Sequence, residues 1–201
     1  MQVGTRAAGW SLAILIALSA CSPLVPVQSM VLRDGAAVVA APPGYCLDAT
    51  NSRPKDGFAV MAPCAVFGAS VSRNVPPGIV TFQLGEPGSA AVRGNEAEMG
   101  ALLKSPQGAA LLSASGQAAS VTVGGVDRAR NRVTVGFTDS APQEIPGTDP
   151  RIWRAFTDLG DRLLTVSVRG PAAAPLDEDD ALPLLDRALR GVAVAAAAEA
   201  A

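Results

Sequence analysis

The chain has 201 residues, 49% of them hydrophobic and 17% charged, with 16 basic against 18 acidic side chains and a formal net charge of −2. That balance, spread without a basic stripe, makes nucleic acid a poor partner, and the absence of His excludes Ser-His-Asp and Cys-His mechanisms and imidazole metal ligands. The length suits one domain with a real core, and five Phe, two Trp and one Tyr leave few stacking platforms for sugars or bases.

Arg6 precedes an apolar stretch over residues 7–18 that ends in small residues, the three-part layout of a secretory signal. The stretch is too short for a transmembrane helix, which needs about 20 apolar residues, and it runs into Ser22-Pro23, where proline disfavours continuing a helix. Leu18-Ser19-Ala20-Cys21 is an aliphatic residue, two small ones and a Cys. Here the chain resembles a bacterial lipoprotein precursor, whose lipobox it matches residue for residue. The resemblance covers only the first tenth of the chain. It implies that residues 1–20 are removed, that the Cys21 thiol receives a diacylglyceryl group, and that the new amino terminus is open to acylation. Two or more acyl chains anchor stably, because each buried methylene contributes about 0.8 kcal/mol. Ser22, not Asp, follows the Cys, which in that family's sorting pattern implies the outer membrane with the domain in the periplasm.

The same resemblance accounts for an odd count of three Cys. With Cys21 assigned to lipid, Cys46 and Cys64 are expected to form one structural disulfide, which an oxidising envelope compartment permits. Closing that loop contributes about 3 kcal/mol in the chain-entropy model. A redox or metal-binding role for the pair is disfavoured, since there is no Cys-x-x-Cys spacing and no His.

Residues 21–34, with two prolines and no clear period, read as the lipidated N-terminus and a tether. A single domain is expected over 35–194, with an Ala-rich tail over 195–201. Residues 37–41 form a short apolar run stopped by Pro42-Pro43-Gly44, and Tyr45-Cys46-Leu47-Asp48 reads as a strand. After a polar loop over 50–57, a strand over 58–62 delivers Cys64. In residues 79–84, Val80, Phe82 and Leu84 share one face and Thr81 and Gln83 the other. A helix capped by Asn95 carries Met99, Leu102 and Leu103, and beyond Ser105-Pro106 a second helical piece carries Ala109, Leu111 and Leu112. Period-two runs at 121–123 and 133–137 predict a hairpin around a polar connection over 124–131. A polar loop over 138–150 leads to strands at 151–157 and 162–169, and a final helix starts near Asp180 and Pro183 with Leu184, Leu185, Ala188, Leu189 and Val192 as its buried stripe.

These elements describe an α+β domain, an antiparallel β-sheet with a mid-chain helical insertion and a C-terminal helix packed on the sheet. From about residue 37 to 194 their order resembles the PsbP-like fold, in which a last pair of strands, here 152–168, precedes a C-terminal helix, here 180–194. No catalytic or binding motif comes with that resemblance.

No catalytic, cofactor-binding or metal residues are assigned. The run Asp177-Glu178-Asp179-Asp180 lacks the spacers and bend of a calcium loop and reads better as helix capping. Gly124-Gly125 reads as a turn or bulge rather than a phosphate loop. Arg128, Arg130 and Arg132 form a small basic set near a hairpin tip, either solvated charge or a contact for anionic headgroups. Trp153 and Phe156 fall on opposite faces of their strand, as in a strand buried on both sides. The expected function is a lipid-anchored, non-catalytic accessory or binding module of the cell envelope, with the membrane and an envelope protein as partners. The alternatives are an envelope hydrolase working with Asp and Glu alone, which would need two acids converging in a cleft, and a purely structural lipoprotein with an exposed apolar patch.

Overall fold

A computed structural model describes residues 27–69, 75–143 and 145–195. Cys21 with the rest of the lipobox, and residues 196–201 of the expected tail, lie outside the described residues. The chain opens with β1 (Ser29–Leu32) and β2 (Ala37–Ala40), then β3 (Tyr45–Leu47), β4 (Phe58–Pro63) and β5 (Ile79–Leu84). Two short helices follow, α1 (Glu96–Leu103) and α2 (Pro106–Leu112), and then β6 (Val121–Ala129), β7 (Arg132–Asp139), β8 (Arg151–Leu159) and β9 (Arg162–Arg169). The last elements are α3 (Glu178–Arg190) and β10 (Val192–Val194). A seven-stranded sheet has the order β3-β4-β5-β9-β8-β7-β6 with every neighbour antiparallel, and a three-stranded sheet has the order β1-β2-β10. The chain is therefore α+β, with helices on both faces of an antiparallel sheet.

Period-two alternation sets the two cores. Val80, Phe82 and Leu84 of β5 pair with Val168, Val166 and Leu164 of β9, and all six side chains are buried. Ala181, Leu184, Leu185 and Ala188 bring the apolar stripe of α3 onto this face, joined by Leu32 and Val39 of the small sheet. Full burial of a leucine such as Leu184 contributes about 2 kcal/mol. Gly78 permits the close approach, for a Cβ there would lie 2.2 Å from Leu184 Cδ2. Tyr45 reaches the same core and donates from its hydroxyl to the Pro76 carbonyl at 2.6 Å, and burial pushes that hydroxyl up to about 12. On the opposite face α1 and α2 cover β6 and β7, with Leu103, Leu112 and Val92 against Val133, Val135, Phe137 and Ile152. Trp153 enters the α3 core and Phe156 packs against the other, so β8 is buried on both sides as expected.

Four local expectations change. Residues 29–32, inside the expected tether, form β1, because Leu32 buries completely against the α3 core and β2 supplies a pairing edge. The hairpin connection is shorter than the polar residues 124–131 suggest. β6 continues to Ala129, with a register shift between Val123 and Val126 that absorbs Gly124-Gly125 as a bulge. Asn95 makes no side-chain cap on α1, whereas Ser105 caps α2 by accepting from the Gly108 N–H at 3.2 Å. The final helix begins at Glu178, which places Pro183 beyond the first turn, and stops at Arg190 instead of continuing to 194. Gly191 packs against the Ala40 carbonyl, where a Cβ would come within 2.2 Å, and Val192 starts β10 along the free edge of β2.

Candidate functional site: an arginine-rimmed groove at the hairpin tips

The sequence motifs do not gather at one place. Cys46 and Cys64 form the expected disulfide between β3 and the end of β4, with Cα atoms 4.9 Å apart and Gln28 Nε2 donating to Cys46 Sγ at 3.2 Å. The acidic run serves the helix. Asp177 Oδ1 accepts from the Asp180 N–H at 3.0 Å, and the other three acids occupy the first turn of α3, where the positive helix end favours them.

A concave surface lies where the β6–β7 and β8–β9 turns meet the C-terminal end of α3. Asn131 turns the first hairpin with φ of 55°, a left-handed conformation that Asn tolerates better than most residues. Its side chain then ties the hairpins together. Nδ2 donates to the Asp158 carbonyl at 3.0 Å, and Thr157 Oγ1 donates to the Asn131 carbonyl at 2.6 Å. Asp158, only 9% exposed, faces the loop before α1 and accepts from the consecutive N–H groups of Ala91 (2.9 Å), Val92 (3.1 and 3.0 Å) and Arg93 (2.8 Å). Glu96 accepts from the N–H groups of Asn131 at 2.7 Å and Gly94 at 3.1 Å, and these donors hold its carboxyl below the usual carboxylate range.

Register separates the three arginines of the notable run. Arg128 pairs opposite Val133 and so lies on the α1 side, whereas Arg132 lies on the α3 side and ion-pairs with Asp186 at 2.7 Å. Arg130 sits at the tip between them. One groove, of about 560 Å³, has Arg130, Arg132 and Arg190 on its walls and Leu159, Leu189 and Val192 along its apolar part. Two further depressions adjoin it, one shared by Arg130 with Arg128 and the other shared by Arg130 with Arg93. Arg93, Arg128, Arg130 and Arg190 are exposed and form no ion pair among the described residues. Arg93 and Arg190 come from distant sequence segments, and only the seating of the loop before α1 by Asp158 and the docking of α3 bring them beside Arg130.

The carboxylates of this end are engaged by N–H groups or by Arg132. A fully buried acid elsewhere, Asp139, is likewise saturated. It accepts from Ser120 Oγ (2.6 Å), the Ala114 N–H (2.7 Å) and the Ala141 N–H (3.0 Å). Burial alone would raise its pKa, but these donors hold the carboxyl below the ordinary value of 3.8. A depressed folded-state pKa stabilises the fold above the unfolded value, and that stability is lost as pH falls through the folded one. Asp139→Asn is therefore expected to melt lower than the parent chain at pH 7, by about 1–2 kcal/mol, and to lose less stability on acidification below pH 3.8; thermal melts of both proteins across that range check it.

No protein-family model matches the sequence, and no curated protein matches it. Solved structures similar to this chain include a point mutant of the protein Mog1, at a TM-score of 0.49 and 15% identity over 85% of this chain and 96% of that one. They also include the Saccharomyces cerevisiae Ran-binding protein Mog1p, at 0.48 and 15% over 83% and 94%, and cyanobacterial PsbP from Synechocystis in solution, at 0.43 and 13% over 88% and 98%. Identities this low carry no information about a shared ligand or partner.

Proposed function

We propose that the chain is a lipid-anchored, non-catalytic accessory or binding module of the bacterial cell envelope. Residues 1–20 act as a lipoprotein signal, Cys21 carries the acyl groups, and the α+β domain stands in the periplasm, with Ser22 directing it to the outer membrane. The lipobox and a disulfide suited to an oxidising compartment support the address. One observation favours binding over catalysis at the concave end. Its carboxylates Glu96, Asp158 and Asp186 are held by N–H groups or by Arg132, while four arginines around the groove are unpaired among the described residues. Such an end attracts anions but offers no group placed to take and return a proton.

The exposed large apolar residues Val31, Val66, Leu111 and Val194 lie on separate elements, which favours a polar partner over an apolar docking patch. A photo-reactive side chain at Leu189, inside the groove, is expected to form a discrete adduct with an envelope component in intact cells, and the same group at exposed Val66, outside the groove, is expected to form none. Hydrolysis of ester, glycoside or peptide substrates by the purified chain, abolished by Asp186→Asn or Asp158→Asn, would overturn the non-catalytic reading.

A further inference from the structure

The groove joins two chemistries that a free anion or an acidic peptide would not both use. Arg130 stands where three depressions meet, and it shares them with Arg190, Arg93 and Arg128 in turn. Beside Arg130 and Arg190 lies an apolar strip of Leu159, Leu189 and Val192. The chain as a whole carries a net charge of −2, so this concentration of unpaired guanidinium groups is local. Guanidinium is suited to phosphate, which it can meet through two parallel N–H bonds. Three adjoining depressions that share one arginine suit a sheet of headgroups better than a single anion. The apolar strip would meet the glycerol and first methylenes of a lipid whose phosphate contacts the arginines.

We propose that the arginine-rimmed end is a membrane-contacting surface that takes the anionic phosphodiester headgroups of the bilayer in which the chain is anchored, an inference that rests on the lipid anchor proposed above. Only residues 22–26 separate Cys21 from Val27, the first described residue, and even fully extended this stretch spans about 20 Å. An anchored domain is thus held close to the bilayer, and when its charged end turns toward the headgroups the arginines act within a Debye length, about 8 Å at physiological salt. Each arginine at an anionic surface contributes a roughly equal electrostatic increment, which salt weakens.

The test uses the full chain carrying Cys21→Ser, so that no acyl group contributes and failure of the anchor is scored separately from failure of the surface. Co-sedimentation is measured with vesicles of phosphatidylcholine alone and of an equal mixture with phosphatidylglycerol. The apolar stretch 7–18 favours both vesicle types alike and Arg6 is present in every variant, so the change of the affinity ratio between variants isolates the groove arginines. The ratio is expected to favour phosphatidylglycerol and to fall with added salt. Arg130→Gln combined with Arg190→Gln is expected to lower it about thirty-fold, and Lys55→Gln combined with Lys104→Gln, the same change of charge at residues that do not line the groove, is expected to leave it nearly unchanged. Melting curves confirm that the variants fold. No preference in the parent chain overturns the proposal, as does a preference undiminished by loss of both arginines. An equal loss with the lysine pair reduces the effect to net charge and overturns it too. Release of the protein from vesicles by millimolar inorganic phosphate, at constant ionic strength, identifies a free-anion site instead.

Discussion

Asp158→Ala is expected to lower the stability of the domain by about 4 kcal/mol, with urea unfolding monitored by circular dichroism as the check. The carboxylate is 9% exposed and accepts from the N–H groups of Ala91, Val92 and Arg93. Removing it orphans three consecutive donors, one of them on a fully buried residue, and each costs about 1–3 kcal/mol where water cannot replace the carboxylate. Asn at the same position keeps one acceptor oxygen and is expected to recover roughly half of the loss. The effect also reaches the groove. The Asp158 carboxylate seats the loop that carries Arg93 and leads into α1, so amide hydrogen exchange at residues 91–93 should rise in Asp158→Ala more than in the centre of β9. Uniform loss of protection across the sheet would contradict the local role assigned to this carboxylate.

Breaking the disulfide, by Cys46→Ala with Cys64→Ala, is expected to cost about 3 kcal/mol and to lower Tm by roughly 6–12 °C. The two residues are 18 apart in sequence, so the bond removes a modest loop from the unfolded ensemble. Its structural position makes the loss visible. β3 is a three-residue edge strand held by β4 and by a single bridge between Leu47 and Val27, so the link closes an otherwise weakly paired margin of the sheet. β3 also presents Tyr45 to the α3 core, which couples the margin to the main packing. Differential scanning calorimetry of the oxidised parent and the double variant measures the cost. Unchanged Tm, together with facile cycling of the pair by a mild thiol reductant, would point to a redox role instead.

The fold was largely legible where side-chain period and burial agree. Val80, Phe82 and Leu84 announced β5, Leu164, Val166 and Val168 announced β9, and the stripe through Leu184, Leu185 and Ala188 announced α3 with its packed face. Sequence reading failed where long-range pairing overrides local composition. Residues 29–32 carry no period, and pairing with β2 makes them a strand. The polar residues after Val123 look like a loop, yet β7 pairs with them across a glycine bulge. Val192 continues the helical stripe in sequence, but Gly191 ends the helix and the edge of β2 captures it. The groove was legible only through Arg128, Arg130 and Arg132, and as a single cluster, because which arginine faces α1 and which faces Asp186 depends on register. Arg93 and Arg190 could not be added from sequence, since a buried carboxylate at Asp158 and the docking of α3 bring them there. Asp158 itself gave no local signal, for in sequence it is one polar residue of a turn.

The anchor on Cys21 underlies both the proposed address and the membrane-contacting surface, and detergent-phase partition of the full chain expressed in a bacterium tests it most directly. The parent chain is expected in the detergent phase, with its N-terminal peptide beginning at Cys21 and carrying the mass of a diacylglyceryl thioether. Cys21→Ser is expected to lack that mass and to keep its signal uncleaved. A parent chain that partitions into the aqueous phase, or whose mature N-terminal peptide carries an unmodified Cys21, would contradict the lipid-anchored account.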